Sequence, residues 1–232
     1  MKVLNYIKEG FKEAIRLLIN FDKEVYSIIS LSLFVSTTST IISSLIFIPL
    51  GIHLGIKDFR GKRFFSRILY TFMSIPSVIV GLVVAILLSR KGPFGHLDLL
   101  YTSKAMVIAQ TLLVTPLILG LTYSLSQNRG KSIEKIGITL GAGRLDIIIL
   151  TIKELKIDIL VNVVTAFSRA ISEVGAVMIV GGNIKGHTRV ITTTISMMNS
   201  MGDYPMAIAL GIVLLIISFV INSIIYSYSR EE

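Results

Sequence analysis

Five stretches of this sequence are apolar over enough length to cross a hydrocarbon core of about 30 Å. They run from about Val25 to Ile56, Ile68 to Leu88, Ala105 to Tyr123, Ile157 to Val180 and Tyr204 to Tyr226. A backbone without water must bond to itself, so such spans are helices. Pro49, Pro76 and Pro116 fall inside the first three, where neighbouring helices can satisfy the carbonyls that proline frees. Composition agrees: 53% of the residues are hydrophobic and only 16% charged, against about 25% in a soluble domain. With mean hydropathy at +0.78, a soluble fold of 232 residues could not bury so much apolar side chain. The expected fold is an all-α integral membrane domain over residues 25–232, multi-pass in the bilayer.

Residues 1–24 read as an amphipathic helix rather than a removable signal peptide. Val3, Leu4, Ile7, Phe11, Ile15, Leu18 and Ile19 share one face, and Lys2, Lys8, Glu9, Lys12, Glu13 and Arg16 lie mostly on the other. Such a helix either lies in the headgroup layer or packs as a tail on its own protein. The net charge of +9 sits in short runs between the spans, the pattern that orients membrane proteins rather than one that binds nucleic acid. Lys57, Arg60, Lys62, Arg63 and Arg67 crowd one connection; Arg129, Lys131, Lys135, Arg144, Lys153 and Lys156 fall in 126–156; Arg230 follows the last span. The opposite loops, 89–104 and 182–203, hold Arg90, Lys91, Lys104, Lys185 and Arg189. The more basic side is expected in the cytoplasm with the C-terminus, and five spans then place the N-terminus outside. The basic residues of the opening helix count against that placement, and its acidic residues offset them only in part.

No catalytic constellation is legible. There is no cysteine, and His53, His96 and His187 have no partner at metal-ligand spacing, so neither catalytic nor metal residues are expected. Gly130-Lys131-Ser132 matches only the tail of a phosphate-binding loop, with Leu125 in place of its first glycine. Two ionisable residues lie within a span: Arg169 and Glu173, one turn apart. Such residues face a bundle interior or an aqueous cavity, as a translocation path or gate or as a buried structural pair. They could pair with each other or with partners on other helices. The hydroxyls of Ser36 to Thr40, Ser43 and Ser44 line a polar pathway, or more often bond their own carbonyls and tie helices together. Gly51 and Gly55 allow close helix contact. Val190 to Met198 is apolar but too short to span, so 182–203 is expected to dip back at the outer mouth.

The connection at 126–156 is too long for a simple turn. It reads as two short helices broken at Gly141-Ala142-Gly143, with Ile133, Ile136, Leu140, Leu145, Ile148 and Ile149 as apolar positions. A helical hairpin of that kind docks on a partner or packs under its own bundle. Lys135 to Arg144, ending Leu140-Gly141-Ala142-Gly143-Arg144, resembles the coupling loop of membrane subunits of ABC importers, although the acidic first position falls on Lys135 with Glu134 one place early. Ala170 to Ile184, Thr188-Arg189-Val190, Gly202-Asp203-Tyr204, Pro76 to Leu82 and Met106 to Thr111 are similar to the tungstate-importer permeases. Molybdate and sulfate permeases are the next nearest.

The resemblance implies five transmembrane helices of the type I ABC importer core, preceded by the amphipathic helix. It implies a homodimer in a prokaryotic cell membrane, in contact with lipid. Two partner ATPase subunits would carry ATP and magnesium, and an extracytoplasmic oxyanion-binding protein would deliver the anion; this chain binds no cofactor and is not an enzyme. The coupling contact would use Glu134, Lys135, Leu140, Gly141, Ala142, Gly143 and Arg144, and the gate or path Arg169, Glu173, Gly175 and Asn183. Two other classes compete with this one. An ion-coupled porter working through Arg169 and Glu173 would be expected to show an internal repeat or paired broken helices, which the sequence does not display. A structural or assembly protein would leave the 126–156 hairpin without a partner.

Overall fold

In the computed structural model of the chain, residues 2–20 and 22–230 are described, and the side chains at 2–5, 17, 18, 224–226 and 228–230 fall outside that description. The parts of the readings above that rest on the side chains of Lys2, Val3, Leu4, Leu18, Tyr226 and Arg230 therefore lie outside the described residues. Helix α1 (Lys2–Ile19) is followed by α2 (Lys23–Ile56), which is capped by Asp22, whose Oδ1 accepts from the Val25 N–H at 3.0 Å. This cap begins a new helix at residue 23, so the amphipathic segment ends before residue 24.

α2 packs along α5 (Ser103–Leu125). Gly55 makes the approach close: a Cβ there would stand 2.6 Å from the Tyr123 carbonyl oxygen. The hydroxyls of α2 serve the helix and its neighbour. Ser32 donates to Ile28 O and Thr40 to Ser36 O; the Ser39 hydroxyl lies 2.7 Å from Val35 O and 3.2 Å from Val107 O of α5. Ser43 meets Thr115 at 3.1 Å. Of the two readings of this hydroxyl run, the bonds favour the tie between helices.

Two of the expected spans are broken. α3 (Lys62–Met73) meets α4 (Ser77–Leu88) at 89°, and α8 (Lys156–Ile171) meets α9 (Gly175–Gly181) at 56°. Among the described residues, three helices are long and apolar enough to cross a membrane, or up to five if each bent pair counts as one span. The first break has a covalent cause. Pro76 has no N–H and disfavours helical geometry at the residue before it, and α3 closes with tight bonds from Ser74 N–H to Thr71 O and Ile75 N–H to Phe72 O. Pro49 and Pro116 stay inside their helices. The paired broken helices correct the expectation of unbroken spans. Hydropathy runs through both breaks because apolar residues continue on either side of each, Ile68 to Met73 before the first among them, and a change of direction leaves no mark on it. Their absence therefore cannot be held against a porter.

The second halves of the broken spans meet each other. A Cβ on Gly81 of α4 would lie 2.6 Å from the Ala176 Cα of α9, and Val84, Met106, Ala109, Val177 and Val180 close the core around this contact. A backbone atom cannot swing aside, so Gly81→Ala is expected to destabilise the fold by about 1–3 kcal/mol. The check is the thermal midpoint of the detergent-solubilised chain, and an unchanged midpoint would contradict this packing.

α1 docks on α11 (Tyr204–Arg230) through small residues. A Cβ on Gly10 would fall 2.5 Å from Ile208 Cγ2, Ala14 is buried, and the Tyr6 and Tyr204 rings stand 5.5 Å apart. Ile7, Phe11, Ile15 and Ile19 remain exposed. The helix thus packs as a tail by one face and leaves its apolar face outward. Residues 190–198 form most of α10 (Ile191–Met201), whose first turn is buried and whose Ile191 N–H donates to Ser32 Oγ at 2.9 Å.

Candidate functional site

α5 runs through a π turn at Ser126–Gly130 directly into α6 (Lys131–Thr139), and α7 (Arg144–Glu154) returns. The reversal is a Schellman motif: Ala142 N–H donates to Gly137 O at 2.9 Å and Gly141 N–H to Ile138 O at 3.0 Å, with Gly141 at φ +79°. Asp146 Oδ2 accepts from the Gly143 N–H at 3.0 Å and opens α7. The apolar positions then divide by face. Ile133, Ala142, Ile147 and Ile148 pack with Ile52, Ile56, Leu155 and Ile159, whereas Ile136, Ile138, Leu140, Leu145 and Ile149 point out. Leu140 is 80% exposed and Leu145 75% exposed. Of the coupling residues read from sequence, Lys135, Leu140, Gly141, Gly143 and Arg144 are exposed, and Glu134 and Ala142 are half-buried. Ile138 and Ile147 are not among the apolar positions read from the sequence.

Asp58 ties this hairpin to the end of α2. Both its carboxylate oxygens lie 2.8 Å from Lys131 Nζ, and Lys62 Nζ reaches Oδ1 at 3.4 Å. Lys131, then Lys62, hold the carboxyl below its ordinary value of 3.8. A depressed carboxylate stabilises the folded form above its ordinary value and loses that contribution as pH falls below it. Hydrogen exchange of the 126–156 amides, corrected for intrinsic rates, is expected to show no loosening from pH 8 to about 5, with loosening only below about 4. Asp58→Asn is expected to remove that acid step. The group is fully exposed, so the effect is small.

The second candidate region is the break between α8 and α9. Arg169 Nη1 donates to Glu173 Oε2 at 2.7 Å, and Glu173 Oε1 accepts from the Ala176 N–H at 3.0 Å. The Glu173 side chain is 2% exposed and that of Arg169 42%. One carboxylate thus caps α9 and pairs with the preceding turn; of the two pairings left open by sequence, the internal one is found. Other helices supply donors at the break: Ala170 O, which accepts from the Glu173 N–H at 3.1 Å, also accepts from Gln110 Nε2 at 2.9 Å, and Glu173 O accepts from Thr192 Oγ1 at 2.7 Å. Gly175 stands against the start of α4, where a Cβ would lie 2.8 Å from Val78 Cγ2. Arg169, Glu173 and Gly175 therefore come together beside both breaks. Asn183 does not join them. It lies past the far end of α9 at φ +50°, its Oδ1 accepting from Thr193 Oγ1 at 2.9 Å. Beyond it, Lys185 Nζ pairs with Glu24 Oε2 at 2.7 Å and Arg189 Nη1 approaches Glu24 Oε1 at 3.5 Å, clasping the 182–190 loop to the start of α2.

The stretch that holds the long helix, the exposed hairpin and the broken spans is matched by a family model. Its description is binding-protein-dependent transport system inner membrane component, and it covers residues 47–230. The chain belongs to this family. It is a permease component of an inner-membrane transport system and not an enzyme. The permease is 68% identical to the tungstate uptake system permease protein TupB of Peptoclostridium acidaminophilum, over 98% of this chain and 100% of that protein. It is 39% identical to the protein of the same name from Campylobacter jejuni, over 98% and 95%. The molybdate/tungstate transport system permease protein WtpB of Pyrococcus furiosus is 31% identical over 64% of the permease and 57% of its own length.

Proposed function

We propose that this permease forms the translocation path for tungstate in an ABC importer. The observation that carries the substrate is the 68% identity, end to end, with a tungstate uptake permease. The exposed leucines at the tip of the 126–156 hairpin support a docking role, because large apolar side chains that stand in water on a well-capped turn are characteristic of a partner interface. The partner is an ATPase subunit that carries ATP and magnesium, contacting Glu134, Lys135, Leu140, Gly141, Ala142, Gly143 and Arg144. Two copies of the permease assemble with two such subunits, and an extracytoplasmic binding protein delivers the oxyanion to the outer mouth. The hairpin and C-terminus face the cytoplasm and the N-terminus faces outward. α1 lies in the headgroup layer with Ile7, Phe11, Ile15 and Ile19 toward lipid.

Arg169, Glu173 and Gly175 act at the gate, with Asn183 holding the outer end of α9. Closure of the ATPase pair moves the hairpins, and the two broken spans rearrange between inward and outward packings. The test is ATP hydrolysis by the purified complex with binding protein loaded with tungstate or with molybdate. Stimulation by the tungstate-loaded form is the expected result. Stimulation by the molybdate-loaded form alone would overturn the substrate, and the absence of a co-purifying ATPase would overturn the class of transporter.

A further inference from the structure

Among the described residues, α3 is an amphipathic helix whose outward face the transport reading leaves unused. Its inner face is fixed to the bundle. The Ser66 hydroxyl meets the Tyr123 hydroxyl at 2.7 Å, the Phe65 and Tyr123 rings stand edge to face at 5.8 Å, and Leu69 is buried. Lys62 Nζ donates to Gly55 O at 2.6 Å and to Lys57 O at 2.8 Å, so this cation is committed to the protein. The outward face is different. At 100° per residue, Arg63 and Arg67 form one stripe, continued by Arg60 just before the helix, and Phe64, Ile68 and Phe72 form the stripe beside it. The three apolar residues are 68%, 40% and 51% exposed. The three arginines are exposed and make no hydrogen bond or ion pair among the described residues.

Three further observations say what covers this face. The 89° turn at Ser74–Pro76 lays α3 across the direction of α4, the course expected of a helix lying along a bilayer surface beside one that enters it. Arg63 and Arg67 border a cleft of about 690 Å³, closed by Phe59 and Gln127, which has room for a phosphate-bearing headgroup. Lys62 to Met73 contains no acidic residue. A two-fold contact sets the same patch against itself, and through this face it would bring arginine against arginine with no carboxylate on the helix to relieve it.

We propose that α3 is an in-plane anchor that binds anionic phospholipid, with Arg60, Arg63 and Arg67 on headgroup phosphates and Phe64, Ile68 and Phe72 among the acyl chains. Arginines reach upward to phosphates while apolar neighbours sink, the arrangement by which interfacial helices hold anionic membranes. The leaflet follows the orientation proposed above, since Asp58 joins this connection to the hairpin; the immersion of α3 does not depend on it. Each basic residue near an anionic surface gives roughly a fivefold preference for it.

The chain has no cysteine, so Ile68→Cys supplies a single thiol for a nitroxide label on the full-length protein with its co-purifying partners. In nanodiscs of phosphatidylcholine with phosphatidylglycerol, the label is expected to be relaxed by oxygen and not by an aqueous nickel chelate. By native mass spectrometry, phosphatidylglycerol is expected to be retained over phosphatidylcholine. Each single Arg→Gln change should lower that preference about fivefold, and the triple Arg60→Gln, Arg63→Gln, Arg67→Gln variant should bring it close to unity with its thermal midpoint kept. A label reached by nickel puts the helix in water. A label shielded from both agents means that a second copy or the ATPase covers it. Either result overturns the proposal, as does an unchanged preference in the triple variant or displacement of the lipid by millimolar inorganic phosphate. No arm requires transport, so a failed transport assay leaves the proposal standing and a failed lipid assay leaves the transport reading standing.

Discussion

ATP-driven uptake by a Gly141→Asp permease is expected to fall at least about a hundredfold while the protein still inserts and folds. The backbone at Gly141 has φ +79°, and a Cβ there meets nothing within 4 Å. Aspartate is among the few residues that visit this left-handed region readily, so the folding cost is about 1 kcal/mol or less. The cost at an apolar docking surface is another matter. An unpaired carboxylate buried against a partner loses several kcal/mol, and about 2.7 kcal/mol already gives a hundredfold. Leu140→Asp, at a position 80% exposed, should behave alike with no backbone strain at all. Gly141→Asn serves as the control, since it keeps the backbone demand without the charge and should retain more uptake. Proteoliposome uptake and carbonate-resistant membrane insertion are the two readouts. Normal uptake by both aspartate variants would remove the coupling role from this turn.

The second large effect is expected at Glu173. Replacing it with alanine removes the acceptor for the Ala176 N–H and the partner of Arg169 together. Loss of a helix cap costs about 0.5–2 kcal/mol, and a buried N–H left without an acceptor about 1–3 kcal/mol. The two overlap, so a total of about 2–3 kcal/mol is expected. The ion pair adds little to this, because Arg169 is 42% exposed and water screens it. Glu173→Gln keeps an oxygen for the cap and should cost about 1 kcal/mol. Arg169→Leu leaves the buried carboxylate without its cation, and an uncompensated buried charge costs more than the screened pair itself contributes. Thermal midpoints should therefore fall for Glu173→Ala and Arg169→Leu and move little for Glu173→Gln. Equal midpoints for Glu173→Ala and Glu173→Gln would deny the carboxylate its capping role.

How far the sequence shows this architecture depends on the range of the interaction. Local signals are read correctly. Gly141-Ala142-Gly143 marks the hairpin reversal because a left-handed residue must end α6 there, and Arg169 with Glu173 marks the interior of a span because charge there is costly. Signals that link distant residues are invisible. Lys131 finds Asp58 across 73 positions, and Gln110 finds Ala170 O across 60. Nothing in either neighbourhood announces its partner. The α1 helix shows a third limit: its apolar stripe draws the eye, yet Gly10 and Ala14 make the contact with α11. Small residues weigh little in a hydropathy pattern, so such a pattern cannot register a close approach of backbones.

The continuous helical run from Ser103 to Thr139, which includes the π turn at Ser126–Gly130, gives the permease a mechanical property. Its 37 residues make a rod about 55 Å long at 1.5 Å per residue, with the hairpin tip at one end and Gln110 near the other. A tilt of about 5° carries the far end through roughly 5 Å at that length. The amide of Gln110 is bonded to Ala170 O, three residues from Glu173. On the coupling role proposed above, a push on the tip would reach the α8–α9 break along this one helical run, with no flexible loop in between to absorb the stroke.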